Sequence, residues 1–276
     1  MRSLKPWAWT LVALLLAALV LCPIYWMVIT ALLPSELTRA RSPSVLPPVS
    51  AIGFDAFGLL FSRKPVLTWL ANSVIVTVGA TLVSLVIATM AGYSLSRFRS
   101  RAQQGAGVAL LVSKMLPASL IVIPFFIGFS TFGLIDNRWG LVLANASVGV
   151  PFATWMMKGF FDGIPREIEL AAMLDGCSGA QAVWYVVLPL ARPGLAACAI
   201  YLAILTWSDF VFARTLVSNP DLWVLTVGVQ SFLGEYLVDW PSLMALGVLS
   251  LAPVFVLFMI LEPFLVSGMT QGAVAN

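Results

Sequence analysis

The residue types that could do chemistry in this chain are few, and the missing ones narrow the choice. The sequence contains no histidine, which removes imidazole acid–base catalysis and imidazole metal ligation. Its three cysteines, Cys22, Cys177 and Cys198, fall in or beside apolar stretches without metal-type spacing, so they read as small apolar residues. Cys22 follows Leu19-Val20-Leu21; a lipidated cysteine normally follows a small residue, and Leu21 is not small. No Gly-x-x-x-x-Gly-Lys-Ser/Thr run is present to cradle nucleotide phosphates. Paired intramembrane carboxylates and nucleophile motifs are missing as well, which argues against an enzyme acting on lipid.

One polar stretch stands apart from its surroundings. Residues 163–176 read Gly163-Ile164-Pro165-Arg166-Glu167-Ile168-Glu169-Leu170-Ala171-Ala172-Met173-Leu174-Asp175-Gly176. Pro165 suits a first helical turn, where its missing N–H costs nothing. Glu167 and Glu169 oppose the positive end of the helix dipole. Gly176 suits the left-handed residue just past a helix C-terminus. Ile168, Ala171, Ala172 and Asp175 fall at three-to-four spacing and are expected on one face, with small alanines that let another surface approach closely. A second helix is expected over residues 179–187, ending before Leu188-Pro189. Two readings stand: an amphipathic loop resting on the bilayer or the bundle, or a docking surface for another protein.

The elements that must position this stretch are membrane spans. Of 276 residues 61% are hydrophobic and 10% charged, against about 25% charged in an ordinary soluble domain. A crossing needs about 20 apolar residues, and six stretches qualify, near 9–33, 67–95, 108–132, 140–161, 194–216 and 243–266. They are continuous rather than alternating, so the expected fold is all-α, a polytopic bundle of six transmembrane helices. The first run is longer than a signal core and has no clear cleavage site, so it reads as a retained span.

Six spans put both termini on one side. The loops on that side hold eight basic residues: Arg2, Lys5, Arg97, Arg99, Arg101, Lys158, Arg166 and Arg192. The other side holds six: Arg39, Arg41, Arg63, Lys64, Arg138 and Arg214. The compact Arg97-Phe98-Arg99-Ser100-Arg101 cluster decides the orientation, because short basic loops stay inside; both termini are therefore expected in the cytoplasm. The chain divides into 1–66, a first helix and a proline-rich external loop, and 67–276, a five-helix core whose cytoplasmic loop covers 158–193. A second external piece, 218–240, carries Leu222, Val224, Val227, Val229, Phe232 and Leu233 in a pattern that suits a short surface helix.

Prolines at 117, 124, 151 and 253, together with Lys114, interrupt the later spans. They are either packing kinks or bends around a solute path. Asp209 in the fifth span is a costly carboxylate that belongs in the bundle interior or at the external interface. Asn145, Trp155, Trp207 and Asp209, polar and aromatic residues of the fourth and fifth spans, are the candidate path residues; packing or an interfacial belt is the alternative for the tryptophans.

The 163–189 stretch resembles the EAA loop of binding-protein-dependent ABC permeases. That pattern is Glu-Ala-Ala, three residues, Gly, nine residues, an aliphatic residue, one residue, then Leu-Pro. Ala171, Ala172, Gly176, Val186, Leu188 and Pro189 match it in spacing. Leu170 stands where the pattern has Glu, and Glu169 or Glu167 is the available acid. The resemblance covers nearly the whole chain and is to the maltose-permease type of carbohydrate importer. It includes Asn72-Ser73, Gly92-Tyr93, Trp207-Ser208-Asp209-Phe210 (similar to Trp-Asn-Glu-Phe) and the tail from Leu265 to Val274.

The resemblance implies a non-catalytic permease subunit of an ABC importer in the cytoplasmic (inner) membrane. Its cargo is expected to be a sugar or sugar-like solute, with a polyol or glycerol-phosphate-type solute as the alternative and a secondary transporter as a more distant one. The implied partners are a second homologous permease subunit, two ATPase subunits and an extracytoplasmic solute-binding protein. No cofactor is expected on this chain; ATP and Mg belong to the partner ATPase. The implied ATPase-coupling residues are Glu167, Glu169, Leu170, Ala171, Ala172, Asp175, Gly176, Leu188 and Pro189.

Overall fold

A computed structural model describes residues 6–38, 46–98, 100–233 and 238–273. Arg2, Lys5, Arg39, Arg41 and Arg99 lie outside the described residues, as do the side chains of the 264–273 tail. Among the described residues the chain is helical, and the strand-type pairing is a single antiparallel bridge between Leu233 and Val238. The chain divides into two compact units, Met1–Leu67 with Gly228–Ala252 and Thr68–Val227 with Pro253–Asn276.

The helices in chain order are α1 Pro6–Leu32, α2 Ser35–Thr38, α3 Asp55–Arg63, α4 Val66–Arg97, α5 Arg101–Ser113, α6 Ala118–Thr131, α7 Arg138–Asp162 and α8 Arg166–Leu174. They continue with α9 Gly179–Ala182, α10 Leu188–Leu190, α11 Arg192–Trp207, α12 Val211–Leu216, α13 Leu225–Gly228 and α14 Trp240–Ala273. The expected external surface helix is present only as short turns, at Pro220–Leu222, in α13 and at Val229–Phe232.

In the first unit α1 is apolar around its circumference, and Leu14, Leu15, Leu19 and Val20 are all exposed. At its end the Leu32 carbonyl accepts the Gly53 N–H at 2.9 Å. The amphipathic α3 buries Ala56 and Leu60, and the Lys64 Nζ that follows donates to the Ser231 carbonyl at 3.3 Å.

In the second unit the buried helix is α7, and layers of apolar contact succeed one another along it. Leu141 and Val142 near its start cluster with Val76, Ala80, Phe212 and Leu216. Ala153 meets Ala88 and Leu202 further along. Met157 and Phe161 near its end cluster with Val187, Ala191 and Cys198. The outer surfaces stay apolar: Val78, Leu82, Val86, Met90, Ile123 and Ile127 are exposed. Apolar contact inside and apolar side chains outside make a bundle whose solvent is lipid.

Among the described residues four helices are long and apolar enough to cross a membrane unaided, and Gly179–Leu190 with Arg192–Trp207 makes a fifth only across a 73° bend. The expected third and fifth spans are each broken. Residues 108–132 split into α5 and α6, separated at Lys114–Pro117, because the residue before a proline is pushed out of helical conformation. Residues 194–216 split into α11 and α12 around Ser208-Asp209-Phe210. Both broken pairs run alongside α7. The Gly107 carbonyl of α5 accepts from Trp155 near the end of α7, whereas Phe125 and Phe129 of α6 pack with the Leu141 cluster near its start. Likewise Gly194 of α11 lies against Phe160, and Leu216 of α12 sits in the Leu141 cluster.

Candidate functional site

The polar stretch forms α8 with the expected acidic first turn and glycine terminus, but with Pro165 one residue ahead of the first turn rather than in it. Pro165 is its N-cap residue, extended at φ −57° and ψ 135°, and Glu167 and Glu169 occupy the first turn. Asp175 is the C-cap and Gly176 follows at φ +96°. The Gly176 N–H donates to the Met173 carbonyl at 3.1 Å and the Cys177 N–H to the Ala172 carbonyl at 3.0 Å, the paired bonds of a glycine-terminated helix. Ser178 then starts α9 with a capping box: its hydroxyl accepts from the Gln181 N–H, and its own N–H donates to Gln181 Oε1 at 2.8 Å. The second helix does not stop before Leu188-Pro189. It runs to Leu190 through a π-type turn over Val183–Val187, in which the Leu188 N–H reaches back to the Val183 carbonyl. The widened turn accommodates a proline that has no N–H to offer and whose ring crowds the preceding turn. Leu188 packs against the Met157–Phe161 cluster.

The expected shared face of α8 is divided. Ala172 is 8% exposed and Glu169 4% exposed, both turned inward. Ile168, Leu170, Met173 and Leu174 point out, Leu174 being 90% exposed, and Glu167, Ala171, Asp175 and Gly176 are exposed beside them. One residue of offset is about 100° around a helix, so the acid at 169 and the leucine at 170 look in different directions.

The inward carboxylate meets a built receptor. Arg97, at the end of α4, donates through Nε to Glu169 Oε1 at 2.5 Å, and the two side chains are 8% and 5% exposed. The Tyr93 hydroxyl donates to Glu169 Oε2 at 3.0 Å. The other Arg97 nitrogens donate to the Phe161 and Ile164 carbonyls at 3.0 and 3.1 Å. The planar guanidinium thus joins the ends of α4 and α7 to α8 at once. Ser96 and Lys158 add bonds to Asp162 at 2.7 and 2.5 Å. Close helix approach sets this up: a Cβ on Gly92 would stand 2.8 Å from Met157 Cβ and 2.9 Å from the Thr154 carbonyl, so only glycine lets α4 lie against α7 there. Sequence reasoning used Arg97 as a topology signal and did not pair it, because its partner Glu169 lies 72 residues away.

The candidate path residues do not form one cluster. Asn145, Trp207 and Asp209 line a small cavity of about 10 Å³ with Ser73, Thr77 and Thr206. Asn145 Nδ2 donates to Asp209 Oδ2 at 3.4 Å. The Asp209 carboxylate accepts the Phe212 and Ala213 N–H groups at 3.3 and 3.1 Å, so it caps α12 at the break in the span. Trp155 lies ten residues beyond Asn145 on α7, about 15 Å along the axis. It lines a separate groove of about 930 Å³ with Gln103, Gln104, Lys158 and Arg166. At the opposite end of the unit Asn72 accepts from Arg138 Nε at 2.9 Å and donates to the Asp221 and Trp223 carbonyls.

Comparison with known proteins agrees with this architecture. A family model described as binding-protein-dependent transport system inner membrane component matches residues 84–271. The chain is 32% identical over 219 residues to a maltodextrin transport system permease protein of Bacillus subtilis, covering 79% of each. It is 31% identical over 252 residues to a diacetylchitobiose uptake system permease protein of Streptomyces coelicolor, covering 91% of each. A crystal structure of a bacterial ABC transporter involved in the import of the acidic polysaccharide alginate contains a chain that superimposes with a TM-score of 0.80 at 26% identity, over 95% of this chain and 98% of that one. With most of its core inside the matched region and a helical membrane fold shared end to end, the chain belongs to the binding-protein-dependent transport system inner membrane component family.

Proposed function

We propose that this chain is one membrane-spanning subunit of an ABC importer for a sugar or sugar-like solute, and that α8 is the handle by which a partner ATPase drives it. The observation that carries the reading is the outward face of α8: Ile168, Leu170 and Leu174 are exposed on a short helix that begins with Arg166 and stands at the basic end of the bundle with Arg97 and Lys158. An apolar face there invites a protein partner. Ala171, Asp175 and Gly176 complete that face, with Glu167 at its N-terminal edge; Glu169 and Ala172 hold it from within. Leu188 and Pro189 serve the handle as its footing.

Six crossings follow if α5 with α6 and α11 with α12 each count as one, since each pair runs the length of α7. Basic residues gather at the α8 end, which supports a cytoplasmic position for that end and for both termini. Residues 1–66 form the entry helix and external loop, and 67–276 form the core with its 158–193 coupling loop. The relatives named for transport or uptake of maltodextrin, diacetylchitobiose and sulfoquinovosyl glycerol support a sugar or sugar-like cargo over a polyol or glycerol-phosphate-type solute.

The remaining assembly is inferred from family membership: a second homologous permease, two ATPase subunits carrying ATP and Mg, and an extracytoplasmic binding protein, all at the inner membrane. A solved alginate transporter in complex with a pentasaccharide-bound periplasmic protein is the precedent for the last. The solute path is proposed to pass the Asn145–Trp207–Asp209 break and leave by the groove beside Trp155. Closure of the ATPases moves α8, and the core follows by rigid-body motion.

The test is reconstitution of the assembly in liposomes with a panel of binding-protein-loaded sugars. Import that requires ATP, the ATPase and the binding protein is expected; uptake by this chain alone contradicts the reading.

A further inference from the structure

We infer that Arg97 is a positioning residue that lets the α8 handle be pulled as well as pushed, an inference that rests on α8 being the docking helix. A transport cycle moves the handle both ways. When α8 is pressed towards the bundle, buried contacts such as Ala172 carry the force. When it is withdrawn, packing contacts resist only until they part, and hydrogen bonds and ion pairs carry the load beyond that. The backbone links α8 to α7 through Gly163-Ile164-Pro165 and to α9 through Cys177-Ser178. It gives no short link to α4, because Arg97 and Glu169 are 72 residues apart.

The missing connection is made by side chains. Arg97 and Tyr93, both on α4, hold the two oxygens of the Glu169 carboxylate, while the rest of the Arg97 fork holds the carbonyls of Phe161 in the last turn of α7 and of Ile164 within the turn into α8. A guanidinium bonded on three sides and buried with its partner has little freedom to let go. The acid at 169 is therefore not a displaced substitute for an acid at 170. Leu170 is 51% exposed and Glu169 is 4% exposed, so an acid at 169 faces its own chain and serves the tether.

The experiment uses the full reconstituted assembly and measures ATP hydrolysed per solute imported. Glu169→Gln keeps the shape and removes the charge. Arg97→Lys keeps the charge and removes the fork. Tyr93→Phe removes one hydroxyl. The ratio is expected to rise roughly tenfold for the first two and about threefold for the third, the range seen when a residue on a coupling network is changed. Cross-linking of Leu174→Cys to the ATPase should persist in each variant, because the handle still docks.

A merely structural role would reduce import and hydrolysis together and leave the ratio at the wild-type value, which overturns the inference. Should the two stronger variants fail to assemble, Tyr93→Phe decides, and an unchanged ratio overturns the inference in the same way. Failure of the wild-type assembly to import would instead overturn the reading of the chain as an ABC permease, a separate outcome.

Discussion

The guanidinium of Arg97 and the carboxylate of Glu169 form an ion pair whose side chains are only 8% and 5% exposed. Breaking such a pair from one side strands the other charge in a dry site, at a cost of about 3–5 kcal/mol, whereas replacing both by apolar groups costs much less. Arg97→Met alone should therefore lower thermal stability in detergent more than Arg97→Met combined with Glu169→Leu. A thermal-shift series on the purified subunit checks the ordering; a double variant less stable than the single one contradicts it.

Gly176 separates backbone strain from crowding. Its φ is +96° and a Cβ there would meet nothing within 4 Å. Substitution is therefore penalised by the backbone alone, by about 1–3 kcal/mol for a residue held in an unfavourable conformation. Import rates should fall in the order Gly, Asn, Ala, Val, since asparagine tolerates left-handed backbone and a β-branched residue does not. Wild-type import by Gly176→Val, with assembly verified, contradicts this.

At Gly92 the prediction rests on steric crowding. A Cβ would press on Met157 Cβ, the Lys158 nitrogen and the Thr154 carbonyl at 2.8–2.9 Å. Overpacking of this kind costs about 1–3 kcal/mol. Two of the three atoms are backbone, so Met157→Ala should not restore a Gly92→Ala subunit. Thermal stability of the single and double variants measures this, and full recovery in the double contradicts it.

Asp209 caps α12, and Asp209→Ala should remove about 1–2 kcal/mol through lost bonds to the Phe212 and Ala213 N–H groups. Asp209→Asn keeps an acceptor and should lose less. Equal losses of stability in the two variants would show that the charge, not the cap, is what the position needs.

Much of this arrangement was legible in the sequence, and what was missed has physical causes. Pro165, Asp175 and Gly176 punctuate α8 as local chemistry requires, because caps and left-handed glycines act within a few residues. The three-to-four spacing of Ile168, Ala171, Ala172 and Asp175 did not reveal which side would be pressed against α4; that depends on Arg97, 72 residues away in the chain. The apolar stretches 108–132 and 194–216 were found by composition; Lys114 and Pro117 marked the break in the first, whereas nothing in composition marked the break at Ser208–Phe210. The latter exists because Asp209 satisfies the amides of a restarted helix. Trp155 and Asn145 looked like companions by residue type, yet ten residues of helix separate them. Arg97 escaped because a basic residue at the end of a span already has a use in setting topology.

The account turns on whether an ATPase holds the outer face of α8. The direct measurement places Cys at Leu174, with Cys22, Cys177 and Cys198 replaced, and applies a short thiol cross-linker to membranes containing the whole assembly. The account predicts a cross-link between position 174 and the ATPase, with no labelling of that position by an impermeant reagent added from outside the cell. Labelling from outside, or import that continues with no ATPase cross-link at 174 or at its neighbours 168 and 171, would contradict it.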